Sequence, residues 1–243
     1  ERLGGRLLDR SPQGVSLTDF GAEFLIEARR LLATHDEITM RHARGRRALN
    51  FRLGVSDHAA GGALPQVLAG LARDCPDVLF SVTVLGSAEI YADYAGGAFD
   101  AAVVLRADGD LGGRTLFRDQ LCWLSAAEYQ PDPDAPVPLV TLKSNCAIRH
   151  IARTALQAAG VPWREVFLGT GVPAVQAAAS AGLGIACLDR RNIPHDCRIL
   201  TGHDWLPALP STELVLHLRD TRPELRQIAA RVGEAFGRLG APG

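Results

Sequence analysis

Residues 166–188, VFLGTGVPAVQAAASAGLGIACL, contain the pattern that decides the fold. The short apolar runs 166–168 and 184–188 predict β-strands, and the Ala-rich segment 173–181 between them predicts a helix. Strands that alternate with helices are typical of a parallel α/β sheet, and we predict that arrangement for this chain.

The same alternation extends in both directions from this stretch. Further strands are predicted at 49–55, 78–85, 101–105, 120–125, 138–142 and 213–218. Further helices are predicted at 63–73, 88–96, 147–159 and 223–239. The pattern therefore predicts two α/β lobes, with the boundary between them near residues 117–119.

A long helix is predicted ahead of both lobes, at residues 18–47, with Thr18 as its N-cap. The segment contains no proline, and the residues of one stripe recur at spacings of three and four. The stripe consists of Phe20, Phe24, Ala28, Leu31, Leu32, His35 and Ile38. Because a single helix of this length has few neighbours in its own chain, the stripe favours pairing with a second copy. Packing as a core helix is the alternative.

The composition excludes several classes of protein. With 243 residues, 47% of them hydrophobic, the chain is long enough to bury a substantial core. It has no apolar run of bilayer length, and its first residues lack the pattern of a signal peptide, which favours the cytoplasm. The five scattered cysteines indicate neither a disulfide framework nor a zinc site, and no cofactor is expected. Since the net charge is −1, affinity for nucleic acid would require a local basic patch.

Six short motifs are spread in order along the chain. They are LGGRLLDR at 3–10, GVSLTDFG at 14–21, LGVS at 53–56, ALP at 63–65, AFDAAV at 98–103 and VQAAASAGLGIA at 175–186. The first two resemble the end of the winged helix-turn-helix and the start of the linker helix in LysR-type transcriptional regulators. The other four resemble the effector-binding domain of that family, and the last of them is the most specific.

The resemblance implies both a fold and a function. Residues 1–17 would be the end of a recognition helix and the wing, and residues 18–48 the linker and dimerisation helix. Lobe I would comprise residues 49–117 and 220–243, and lobe II residues 118–219, in a periplasmic-binding-protein-like (type 2) fold. The complete protein would bind promoter DNA as a homodimer or homotetramer, through an N-terminal domain with further helices. A small-molecule effector between the lobes would alter the geometry of the oligomer.

Two arginines flank the predicted wing, Arg6 and Arg10, and Arg10 matches an arginine in the motif of the family. Guanidinium groups at these positions would pair with DNA phosphates, which set position and affinity rather than sequence preference. Solvated surface arginines are the alternative. The basic run 41–47 is interpreted as a solvated hinge, because it lies at the far end of the predicted helix.

In the family, loops that follow strands contact the effector, because strand ends and helix N-termini present unpaired N–H groups to one cleft. The first such loop is Ser56, Asp57 and His58, and a third contact region is Thr170 and Gly171. Ser56 would offer a hydroxyl. Asp57 would repel a carboxylate unless it pairs with a cation such as His58. Asp57 and His58 could instead only cap the next helix.

The second loop is Lys143, Ser144, Asn145 and Cys146, at the start of a predicted helix. Lys143 would supply positive charge, and Ser144 and Asn145 would supply hydrogen bonds unless they only cap that helix. Cys146 resembles in position the reactive cysteine of peroxide-sensing family members. Their resolving cysteine lies nine residues later, where this chain has Ala155, so redox sensing is not favoured.

A solute-binding protein of a transport system is the alternative function, because it shares the two-lobed α/β fold. Such proteins require export, which neither the N-terminus nor the long helix favours. The chain contains no G-x-S-x-G, H-E-x-x-H, P-loop or dinucleotide-binding motif, and its seven histidines are dispersed. We therefore do not expect an enzyme.

Overall fold

The computed structural model describes residues 4–11, 14–43, 49–62, 64–106, 112–130, 132, 134–143, 146–201, 205–219 and 222–240. It begins with an antiparallel hairpin of β1 (Leu8–Ser11) and β2 (Gly14–Leu17), at the position predicted for a wing. Residues 4–7 ahead of the hairpin are not helical. Residues 1–3 lie outside the described part of the chain.

Helix α1 (Asp19–Ala43) follows the hairpin. Thr18 caps it as predicted, because its Oγ1 accepts the backbone N–H of Gly21 at 2.9 Å. The predicted last residues of the helix, 44–47, lie outside the described residues, and with them most of the basic run.

The apolar stripe of α1 is largely in contact with solvent. Leu31 and Leu32 are 73% and 62% exposed, and Phe20 is 40% exposed. Water contact with apolar surface costs roughly 25 cal/mol per Å², so an uncovered stripe of this kind favours a partner.

The described residues form a nine-stranded sheet. Its strands are β3 (Leu49–Ser56), β4 (Val78–Leu85), β5 (Ala101–Arg106), β6 (Arg114–Ala126), β7 (Val137–Leu142), β8 (Trp163–Gly169), β9 (Ile185–Asp189), β10 (Cys197–Ile199) and β11 (Ser211–Leu218). Their order across the sheet is β4-β3-β5-β11-β6-β9-β7-β8, with β10 paired to β6. The helices that pack on it are α2 (Asp57–Ala60), α3 (Leu64–Asp74), α4 (Ser87–Ala95), α5 (Ala147–Ala158), α6 (Val172–Ser180) and α7 (Pro223–Gly237).

The prediction of a parallel sheet is wrong for the middle of this sheet. Strand β3 is parallel to β4 and β5, and β7 is parallel to β8 and β9, as expected for strands joined through helices. Strand β11 is antiparallel to both β5 and β6, and β6 is antiparallel to β9. The reason is that β6 and β11 cross between the lobes in opposite directions instead of returning through a helix.

Strand β6 is also longer than its apolar run predicted. Its first half, Arg114–Gln120, carries two arginines and an aspartate and is at most partly buried, whereas Leu121–Ser125 is continuously buried. The predicted lobe boundary at 117–119 falls inside this strand.

Separate cores support the two lobes. In lobe I, Phe51 and Phe236 are fully buried in one cluster on which α3 and α7 pack. In lobe II, α5 covers a cluster around Leu139 and Leu156, and α6 covers a second cluster around Leu188. Each lobe therefore has a core of its own. Fully burying one such side chain contributes ~1.5–3 kcal/mol to the stability of the fold.

The motif at 175–186 contains two glycines whose positions favour the absence of a side chain. Gly182 follows α6 with φ +72°, a conformation that favours glycine. A Cβ on Gly184 would lie 2.1 Å from the carbonyl oxygen of Pro138, so β9 approaches β7 closely. The sequence interpretation of these residues as a helix stop and a packing point agrees with both observations.

This topology places the carboxyl ends of β3, β7, β8 and β9 around the junction of the lobes, where the candidate loops begin. Among the helices of the described part, none is both long and apolar enough to cross a membrane.

Candidate functional site

The first candidate loop forms the short helix α2 at the end of β3. Ser56 is its N-cap: the side chain is fully buried, and Oγ accepts the N–H of Ala59 at 3.3 Å. The Asp57 carboxylate accepts the backbone N–H of His58 at 2.9 Å. Both residues thus have local roles in starting the helix.

His58 pairs across the lobe junction. Its side chain is 3% exposed, and Nδ1 lies 3.0 Å from Oδ2 of Asp189 at the end of β9. His58 does not pair with its neighbour Asp57, because the imidazole points toward Asp189 of lobe II instead. A residue of lobe I is therefore bound by a fully buried carboxylate of lobe II.

Further hydrogen bonds hold this pair. Thr212 on β11 donates to Oδ1 of Asp189 at 3.0 Å. The Asn192 side chain donates to the carbonyl oxygen of His58 at 2.9 Å and to Asp189 at 3.4 Å. Asn192 fits because Gly61 has no side chain: a Cβ there would lie 2.1 Å from Asn192 Oδ1. Both carboxylate oxygens of Asp189 thus have donors, as a buried charge requires.

The pair favours its charged form. Burial by itself lowers the pKa of His58, but its hydrogen bonds with Asp189 and Cys146 and the negative charge of Asp189 outweigh that effect and raise the pKa to about 10. Burial acts to raise the pKa of Asp189, but the hydrogen bond and charge of His58 hold that pKa below its usual value. At neutral pH the site contains an imidazolium and a carboxylate.

Cys146 contacts the second ring nitrogen of His58, Nε2. It occupies the N-cap position of α5, and its Sγ is 3.6 Å from Nε2 of His58. This contact brings together the first and second candidate loops, one from each lobe. Ser144 and Asn145 lie outside the described residues, so the structure does not place them.

Lys143 and the third candidate region lie side by side. The Lys143 N–H donates to the carbonyl oxygen of Gly169 at 2.8 Å, because β7 and β8 are parallel neighbours. Lys143 and Thr170 are exposed, and Gly171 precedes α6 with φ +77°. The second and third loops therefore share one edge of lobe II.

The two arginines of the predicted wing lie on the hairpin at the start of the chain. Arg6 and Arg10 are exposed, and Arg10 on β1 is opposite Val15 on β2. The carbonyl oxygen of Arg6 accepts the hydroxyl of Thr18, which ties the hairpin to the start of α1.

Residues 44–236 match the family model described as the LysR substrate binding domain. The chain belongs to the LysR family of transcriptional regulators. It is 30% identical over 214 residues to the HTH-type transcriptional regulator PecT of Dickeya dadantii (strain 3937), covering 88% of this chain and 68% of PecT. Because this is a family of regulators, the prediction that the protein is not an enzyme is confirmed.

Solved structures of the family share the fold. A full-length OxyR variant from Pseudomonas aeruginosa has a TM-score of 0.61 at 15% identity, covering 97% of this chain and 84% of that chain. The regulatory domain of CcmR from Synechocystis PCC6803, solved in complex with 2-PG, has a TM-score of 0.63 at 14% identity. That comparison covers 77% of this chain and 97% of the CcmR domain. The two-lobed architecture predicted from the LysR motifs is confirmed.

Sequence reasoning missed three residues that form the hydrogen bonds around His58: Asp189, Asn192 and Thr212. The available signal was a polar run, Asp189 to Asn192, directly after the buried strand β9. In the described part of the chain, no three His, Cys, Asp or Glu side chains are grouped so that they could hold a metal ion. The Cys146, His58 and Asp189 side chains form a line rather than a ligand cage.

The His58–Asp189 pair predicts a specific pH dependence of stability. A raised His58 pKa stabilises the fold fully below ~6.5 and ceases to do so as pH rises toward 10. The lowered Asp189 pKa stabilises the fold above ~3.8 and ceases to do so at lower pH. The double variant His58→Gln/Asp189→Asn removes both charges. We expect the parent to exceed it in unfolding free energy by the largest amount between about pH 4 and 6.5. Urea titrations from pH 4 to 10 measure this difference.

The single variant His58→Gln is the matched control. It leaves the Asp189 charge buried without its partner, which costs roughly 3–5 kcal/mol. It should therefore be less stable than the double variant at pH 7. If the difference in unfolding free energy between the parent and the double variant stays constant from pH 6 to 10, the pair is not charged.

Proposed function

We propose that this protein regulates transcription in response to a small molecule that binds between its two lobes. The observation that carries the proposal is the contact of His58 from lobe I with Cys146 and Asp189 from lobe II. It lies where β3, β7 and β9 end, and ligands of α/β proteins bind at the carboxyl ends of strands. The same fold in CcmR was solved in complex with a small molecule, 2-PG.

The residues at this edge favour an anionic or zwitterionic effector. Exposed Lys143 supplies positive charge, and the N-terminus of α5, which begins after Cys146, adds the positive end of its helix dipole. Thr170 and Gly171 add a hydroxyl and the N-terminus of α6. Ser144 and Asn145 belong to the same loop, while Ser56, Asp57 and His58 line the lobe I side. The effector-binding set of the sequence is retained, with Ser56 as a buried support.

DNA binding and self-association use the other end of the chain. Arg6 and Arg10 on the hairpin would contact DNA phosphates. The exposed stripe of α1 would pair with a second copy in a homodimer or homotetramer. An effector that binds one arrangement of the lobes more tightly would shift the geometry of the oligomer on promoter DNA. The protein would act in the cytoplasm, without a cofactor.

Effector binding should be measurable as stabilisation in a metabolite screen by thermal unfolding. A ligand that binds only the folded protein stabilises it by RT ln(1 + [L]/Kd), or ~2.7 kcal/mol at a hundredfold excess over Kd. Lys143→Ala and Thr170→Val should reduce the shift produced by a hit, since each removes a polar contact. Lys143→Arg and Thr170→Ser keep the charge and the hydroxyl, and should retain most of it. A hit whose shift is equal in all four variants would place the ligand elsewhere.

Self-association through α1 is tested by sedimentation. The double variant Leu31→Glu/Leu32→Glu places charges on the exposed stripe and should convert the parent oligomer to a monomer, because two carboxylates would be desolvated at the interface. Ala22→Glu introduces a charge on the opposite side of the helix and should leave the oligomer intact. A monomeric parent at micromolar concentration would exclude this interface.

A further inference from the structure

A second buried histidine, His217, lies in the sheet of lobe I and takes no part in the candidate site. Thr212, five residues earlier on β11, contacts that site, so His217 lies roughly 16 Å further along the strand. It is opposite Ala102 of β5, on the face of the sheet where Ala102 and Val104 pack against Ile90 of α4. The residue is 5% exposed. Its ring is therefore enclosed between the lobe I sheet and α4.

Two tyrosines of α4 pack on this ring. Tyr91 meets it edge-on, with ring centroids 5.0 Å apart, and the centroid of Tyr94 lies at 5.6 Å. At the start of β6, Gly113 closes a further side, because a Cβ on this glycine would lie 2.9 Å from Nδ1 of His217. The second half of α4 is therefore in contact with β11 through one imidazole.

The enclosed ring is suited to the neutral form of histidine. Among the residues that the structure describes, Nε2 of His217 is buried and has no hydrogen-bond partner. A neutral ring leaves this nitrogen as an unpaired acceptor. A protonated ring would instead bury a charged N–H group without an acceptor, and that costs more than an unpaired neutral group.

The charges on this face of the sheet also oppose protonation. Burial and the positive charge of Arg106 on β5 both lower the pKa of His217. Arg219, two residues further along β11, adds a second guanidinium group, which binds carbonyl oxygens at the end of α4. Glu213 on the same face of β11 pairs with Arg106 instead of the imidazole.

The other elements around the ring bring no negative charge to it. On α4, Glu89 and Asp93 lie on other sides of the helix than the two tyrosines. Burial raises the pKa of the Tyr94 phenol, which therefore stays neutral in the acidic range. On β6, the residues that share this face are Gly113 and Thr115, and neither is charged.

We propose that His217 is a pH-sensitive contact, which holds α4 on the lobe I sheet while the ring is neutral and releases the helix when Nε2 takes up a proton. Release exposes the imidazolium to water, so its charge is no longer buried without a partner. Helix α4 begins at the carboxyl end of β4, where Ser87 Oγ accepts the N–H of Leu105 at 3.3 Å. Ser56 ends β3 at the same edge of lobe I. Release of α4 therefore alters the edge of lobe I that faces lobe II, and the contact itself does not depend on an effector.

The size of the effect follows from the two environments of the ring. In the released state the imidazole is in water, where its pKa is ~6.5. The ratio of released to bound α4 then rises about tenfold for each pH unit below that value, until the enclosed ring is itself protonated. Between pH 7.5 and pH 5 the rise has an upper limit of roughly thirtyfold.

Hydrogen exchange of the full chain between pH 7.5 and pH 5, corrected for the intrinsic pH dependence of amide exchange, tests the proposal. We expect the protection of the α4 amides to fall by about fivefold or more over this range. Helix α3 is the internal reference, because it packs in the cluster on the opposite face of the same sheet and contains no histidine. An equal loss of protection in α3 and α4, or no loss in α4, would overturn the proposal, and this comparison needs no variant.

The variant His217→Phe tests whether His217 is the titrating group. It keeps an aromatic ring between the two tyrosines but cannot take up a proton, so the extra loss of protection in α4 at pH 5 should disappear. His150→Phe changes an exposed histidine on α5 and is the matched control, which should retain the pH dependence of the parent. If α3 is unprotected in His217→Phe at pH 7.5, the variant is unfolded, and His217→Gln replaces it with the same expectation. A folded His217 variant whose α4 keeps the pH dependence of the parent contradicts the proposal.

Discussion

The buried pair of His58 and Asp189 joins the two lobes, and the geometry of the candidate site depends on it. An ion pair of this kind contributes little net stability, because both charges lose their hydration on burial. Its removal is costly only when one partner remains. We infer that the pair serves mainly to fix one relative position of α2 and β9, and with it the width of the cleft at Lys143 and Thr170.

Neighbouring residues position this pair and satisfy its hydrogen bonds. The cap at Ser56 turns the chain so that the next side chain but one, His58, leaves lobe I and enters lobe II. Strand β11, one of the two strands that cross between the lobes, supplies Thr212, and the 3₁₀ turn after β9 supplies Asn192. One of the residues that orient the site, Thr212, therefore lies on a strand that crosses between the lobes. A ligand at this point acts on the junction directly and does not require a long pathway.

Local sequence patterns predicted most elements but not how they are connected across the sheet. The strand predicted at 78–85 and the helix predicted at 147–159 agree with β4 and α5 to within one residue. The antiparallel strands were missed because periodicity shows burial and not direction, and the charged half of β6 has no apolar pattern. His58 and Cys146 were identified because the family resemblance assigns effector contacts to the loops in which they lie. Asp189 was not, because its role depends on a partner 131 residues away in the chain.

The most direct test of this account is the protonation state of His58 in the folded protein. Nitrogen-15 NMR of histidine-labelled protein reports each ring nitrogen, and His58→Gln identifies the signal among the seven histidines. A buried imidazolium paired with Asp189 predicts that both nitrogens are protonated at pH 8, with titration near pH 10. A His58 ring that is neutral at pH 8 and titrates near its ordinary value of ~6.5 would contradict the charged pair and the lobe junction built on it.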